Sequence, residues 1–91
     1  MSKLDQLLKA ARDGDLIHRQ EALGNLAILL GNLARQQDRP GLRSALREIA
    51  LNVSDKDARW LIQSARSHLS PEQGIWMSDA IAQIQSGADD E

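Results

Sequence analysis

The sequence predicts an all-α protein: a compact bundle of four to five helices around one long central helix, paired with a second copy. Three observations carry this. Leu-Gly-Asn-Leu-Ala occurs at residues 23–27 and again, identically, at 30–34, a seven-residue repeat. Elsewhere the apolar residues recur at helical spacings of three and four, and no segment alternates as a strand would. Short clusters of Asp, Ser, Pro and Gly separate the apolar runs, leaving the brief connections normal between bundled helices.

The repeat identifies the central helix. A seven-residue apolar period keeps one seam facing a neighbouring helix over successive turns. Leu23, Leu26, Leu30 and Leu33 form that seam, and one position further on Gly24, Ala27, Gly31 and Ala34 repeat the spacing with almost no side chain. Glycine inside a helix costs roughly 1 kcal/mol relative to alanine, so two glycines a heptad apart predict packing closer than the usual ~8 to 10 Å between axes. These eight residues are the expected helix-packing or dimer interface, with one stripe turned inward and the other toward a second copy. The 13 residues from Ala22 to Ala34 carry no charge, but fall short of the roughly 20 that a membrane span requires.

In chain order, the first helix is expected to start at Ser2, with Asp5 completing a capping-box-like pair. Leu4, Leu7, Leu8 and Ala11 give its apolar face, and Asp13-Gly14-Asp15 ends it, with Gly14 in a left-handed turn and Asp15 capping the next helix. The central helix should run from Leu16 to Gln37, about 33 Å at ~1.5 Å per residue. Asp38-Arg39-Pro40-Gly41 is read as its stop, because proline disfavours helix in the residue before it. A third helix over 42–51 carries Leu42, Ala45, Leu46, Ile49, Ala50 and Val53 on one side. Ser54 caps a fourth, with Asp57 three positions on and a stripe of Ala58, Leu61, Ile62, Ala65 and Leu69; Trp60 falls beside that stripe, half-buried. Ser70-Pro71-Glu72-Gln73 reads as a capping box with proline in the first turn. The fifth helix then carries Trp76, Met77, Ala80, Ile81 and Ile84 until Ser86-Gly87. One helical domain thus spans 1–87, followed by a flexible acidic tail at 88–91.

Composition narrows the function. There is no cysteine, so disulfides, thiolate chemistry and cysteine-ligated metals are excluded. The only aromatic residues are two tryptophans, so the core must be aliphatic. The first residues, Met1-Ser2-Lys3-Leu4-Asp5, lack the apolar run of a signal peptide, which predicts a cytoplasmic protein. His18 and His68 stand fifty residues apart, with no second ligand at metal spacing. The paired acids Asp13/Asp15 and Asp55/Asp57 are explained by helix ends, and the six glycines are scattered rather than gathered in a phosphate loop. No enzyme, cofactor, metal or small-molecule substrate is expected.

Charge points instead to a macromolecular partner. From Arg35 to His68 seven basic residues face four acids, a balance of +3, whereas Leu69 to Glu91 holds five acids and no lysine or arginine. Arg35, Arg39, Arg43 and Arg47 fall at intervals of four and form the candidate partner-binding basic face. Trp60, Trp76 and Met77 are the candidate partner anchors, since tryptophan is over-represented at binding hot spots. The expected function is a small non-enzymatic regulatory or adaptor protein, of the inhibitor or antiactivator type, that binds and masks a protein partner as a homodimer. One alternative is a DNA-binding transcriptional regulator using the helix pair 42–51 and 55–69, with Arg43, Arg47, Lys56 and Arg59 on the phosphates. That pair resembles a helix-turn-helix in outline, through Arg47-Glu48-Ile49-Ala50 and Val53-Ser54, but only Leu51 and Asn52 stand between those groups. The supposed reading helix would also open with Asp55 and Asp57, which repel phosphates. A second alternative is a structural subunit of a larger assembly.

Overall fold

Most helices of the chain begin where an oxygen-bearing side chain precedes an apolar run. A computed structural model describes residues 3–87, and those residues form five helices: α1 (Lys3–Asp13), α2 (Leu16–Arg35), α3 (Arg39–Asn52), α4 (Asp55–Ser67) and α5 (Pro71–Ser86). Asp15 accepts from the His18 backbone N–H at 2.9 Å, Asp38 from Gly41 at 3.0 Å and Ser54 from Asp57 at 3.2 Å. At α5 the capping box is complete: Ser70 accepts from the Gln73 N–H at 3.2 Å, and the Gln73 side chain accepts from the Ser70 N–H at 3.1 Å. Each cap satisfies a donor that the first helical turn leaves without a carbonyl partner. The expected Ser2 cap and the acidic tail at 88–91 lie outside the described residues.

Several boundaries differ from the sequence expectation. The central helix ends at Arg35, not Gln37, because Gln37 takes a left-handed conformation with φ 53°. Its N–H bonds to the Ala34 carbonyl at 3.1 Å and that of Asp38 to the Leu33 carbonyl at 3.0 Å, the paired bonds of a Schellman ending. Pro40 does not stop α2; it lies in the first turn of α3, which begins three residues earlier than expected. A proline is acceptable there because first-turn N–H groups have no intrahelical acceptor to lose. Gly14 is not left-handed, since among the described residues only Gln37 and Gly87 have positive φ. Its N–H still bonds to the Ala10 carbonyl at 2.9 Å, and an added Cβ would stand 2.5 Å from that oxygen, so close passage of the backbone is what requires glycine.

The central position of α2 holds. It touches all four other helices, and Leu26, Leu30 and Ala34 have no exposed surface. Helix α4 runs beside it in the same direction: Leu23 lies near Trp60, Gly31 near Ala65, and Arg35 donates to the His68 carbonyl at 3.0 Å. Leu8, Leu42, Ile49, Leu61 and Met77 close the core from the remaining helices. Seven of the fifteen core residues are alanine, which lets helices meet with little side chain between them. Both stripes of α2 are therefore largely covered within one chain. Ala27, Gly31 and Ala34 are buried, Leu23, Leu33 and Gly24 half-buried, so the small-residue row is not left whole for a second copy. Ala50, expected on the buried side of α3, is exposed. Among the described residues no helix is long and apolar enough to cross a membrane.

Candidate partner-binding groove

Helices α3 and α4 each turn one stripe toward a shared groove. On α3 the stripe is Arg43, Leu46, Arg47 and Ala50; on α4 it is Asp55, Ala58, Arg59 and Ile62; both follow the i, i+3, i+4, i+7 spacing of one helix face. Helix α5 closes one side with Ile84 and Gln85. The groove encloses about 480 Å³. Its floor is apolar, made by Ile49 from the core and by half-buried Leu46, Ala58, Ile62 and Ile84. Three arginines line it against one acid.

The arginine row does not survive as a single face. Arg35 sits at the end of α2, where it donates to Asn32 Oδ1 at 2.9 Å and to the His68 carbonyl, tying α2 to the end of α4. Arg39, half-buried, donates to the Gln83 side chain and so links the start of α3 to α5. Arg43 and Arg47 alone reach the groove, and Arg59 joins them from α4. Among the described residues Arg47 and Arg59 are exposed and make no hydrogen bond or ion pair. Lys56, grouped with them for the DNA alternative, is exposed but lies outside the lining.

The anchors separate in the same way. Met77 is fully buried and cannot meet a partner, because it fills the core under α5. Trp76 is half-buried against that core. Trp60 is 48% exposed, beside Gln20, Leu23 and Asp57 on the far edge of α4. Sequence reasoning misses the groove floor because Leu46, Ile62 and Ile84 read there as core residues alone. The signal that could have found it is the second stripe, 55, 58, 59 and 62, which mixes charge with apolar residues at helical spacing.

The chain matches no protein-family model, no curated protein and no solved structure.

Both histidines lie near helix ends, as do Asp15, Asp38 and Asp57 among the acids outside the groove. His18 Nδ1 lies 2.8 Å from Asp15 Oδ1. The Asp15 carboxyl is held below its ordinary value of 3.8, chiefly by the backbone N–H of His18 and then by the imidazole. His68 ends α4 and its Nδ1 donates to the Ser64 carbonyl at 2.8 Å. No polar residue is buried, and no three His, Cys, Asp or Glu side chains gather to hold a metal, among the described residues. What the described surface offers is a concave apolar strip edged with guanidinium groups.

Proposed function

We propose that this chain is a small non-enzymatic regulatory or adaptor protein that acts in the cytoplasm by binding and masking a segment of a protein partner. One observation carries the proposal: the α3–α4–α5 groove combines an apolar floor with Arg47 and Arg59, which make no hydrogen bond or ion pair among the described residues. Arginine presents five donors in a planar fork suited to paired recognition of carboxylates, and its stem covers apolar surface. A groove between helices with an apolar floor matches the way amphipathic helices are taken up by partner proteins. Duplex DNA fits less well, since a concave apolar floor would face a convex phosphate surface and Asp55 lines the same groove.

In this reading the protein acts as a homodimer, paired through the surface that α2 leaves open. An added Cβ at Gly24 meets nothing within 4 Å, and neighbouring Ile28 is 59% exposed. The two sit in a shallow depression with Glu21, Asn25 and His68.

The proposal is tested by selecting a random peptide library on the wild-type protein, with Ala50→Trp as the blocked control. Ala50 is exposed and lines the groove, so tryptophan there fills the site without entering the core. Peptides that bind the wild type and lose binding to Ala50→Trp support a protein-binding groove. A library that yields no binder sensitive to this substitution refutes it.

A further inference from the structure

We infer that the groove is specific for an acidic amphipathic helix, a segment with one apolar edge flanked by carboxylates one turn apart; this rests on the protein-binding proposal above. Arg43 and Arg47 are four residues apart on α3, about 6 Å along its axis. Arg59 faces them from α4 across Leu46, Ala58 and Ile62. A helix laid between α3 and α4 therefore sets its apolar edge on Leu46, Ile62 and Ile84. Its two polar flanks then meet guanidinium groups on both walls.

Charge sets the sign of the ligand. Three arginines and one aspartate leave the lining with a surplus of positive charge over a low-dielectric floor, and such a cleft concentrates field on what enters it. Among the described residues Arg47 and Arg59 are exposed and have no acid paired with them, so carboxylates arriving there form charge-assisted pairs without first breaking a pair to any of those residues. A basic ligand would meet those arginines uncompensated. A neutral apolar helix would fill the floor and leave both walls unanswered.

The test uses the full chain and three fluorescein-labelled peptides of sixteen residues, each stapled as a helix and sharing one leucine edge, with flanks of glutamate, glutamine or lysine. Anisotropy is expected to show the glutamate peptide binding at least tenfold more tightly than the glutamine peptide, with no binding of the lysine peptide. Arg47→Glu with Arg59→Glu should reverse that order, so that the lysine peptide becomes the better ligand. Both positions are exposed, and circular dichroism checks that the variant is folded. Equal binding of the glutamate and glutamine peptides, lost in Ala50→Trp, overturns the acidic preference while the protein-binding proposal stands. Failure of all three peptides overturns the inference, while the library selection judges the broader proposal separately. Salt-sensitive binding of mixed-sequence duplex DNA, abolished by the double charge reversal without any peptide binding, overturns both. A dimer that the same reversal dissolves puts a second copy in the groove and overturns the inference as well.

Discussion

Gly24 and Gly31 occupy the same place in two identical pentapeptides of one helix, so substituting each by leucine separates tertiary packing from local propensity. Leucine replaces glycine in a helix interior with a gain of about 0.8 kcal/mol at either site. At Gly24 a Cβ meets nothing within 4 Å, so that gain should appear in full as a rise in melting temperature. At Gly31 a Cβ would stand 3.8 Å from the Ala65 carbonyl oxygen and 4.0 Å from Leu69 Cδ2. A methyl group is in ordinary contact there, but an isobutyl group has to displace α4. Overpacking of that kind costs about 1 to 3 kcal/mol, which cancels or exceeds the propensity gain. For a domain of this size about 1 kcal/mol moves the melting temperature by ~4 to 8 °C. Gly31→Leu should therefore melt at least about 4 °C below Gly24→Leu, and Gly31→Ala, which only reaches contact distance, should melt above the wild type. Thermal unfolding followed by far-ultraviolet circular dichroism, at protein concentrations low enough to keep each variant monomeric, measures all three. Equal shifts for the two leucine variants would refute the assignment of Gly31 to the α2–α4 contact.

Three further perturbations test other parts of the structure. Gln37 holds φ 53° at the end of α2, so Gln37→Gly should relieve about 1 kcal/mol of left-handed strain and raise the urea midpoint; an unchanged or lower midpoint would remove that strain from the account. The depressed Asp15 carboxyl binds its proton more weakly in the folded than in the unfolded chain, so its stabilising contribution is complete above pH 3.8 and is lost as pH falls through the lower folded value. Asp15→Asn should flatten that part of the acid limb when melting temperature is followed from pH 5 to pH 2, and superimposable limbs would contradict the cap's role. Ile28→Glu places a charge beside Gly24 on the open side of α2; multi-angle light scattering is expected to give a dimer for the wild type and a monomer for this variant, a monomeric wild type would refute the proposed homodimer, and a dimer indifferent to the change must use another surface.

How much was legible in the sequence depends on the distance over which each feature is decided. Helix number and most helix starts follow from neighbours within one turn: Asp15, Ser54 and Ser70 cap as their spacing implies, and the apolar stripes bury Leu26, Leu30, Ala45, Leu61 and Ala65 as their period implies. The structure departs from the local pattern where a residue has two uses. Pro40 can end one helix or open the next, and Asp38, accepting from the Gly41 N–H, made it the second. Gly14 suits a left-handed turn or a close approach, and the Ala10 carbonyl made it the latter.

The candidate groove lay further from the sequence. Arg35, Arg39, Arg43 and Arg47 look equivalent at intervals of four, yet the turn at Gln36–Asp38 breaks the row between two helices. Arg35 is then taken by the His68 carbonyl and Arg39 by Gln83, 33 and 44 residues away. Only the packing of α4 and α5 against α3 reveals that Arg43 and Arg47 share a groove with Arg59 and Ile84.

The sequence by itself thus determined an all-helical chain, its long apolar central helix and most of its caps, because periodicity and capping are settled by residues three to seven apart. The tertiary structure alone decided which of the two repeated glycines is pressed against a neighbour, which arginines serve the fold and which face the groove. Those outcomes depend on residues far apart in the chain being brought within a few ångströms, and no local pattern carries that information.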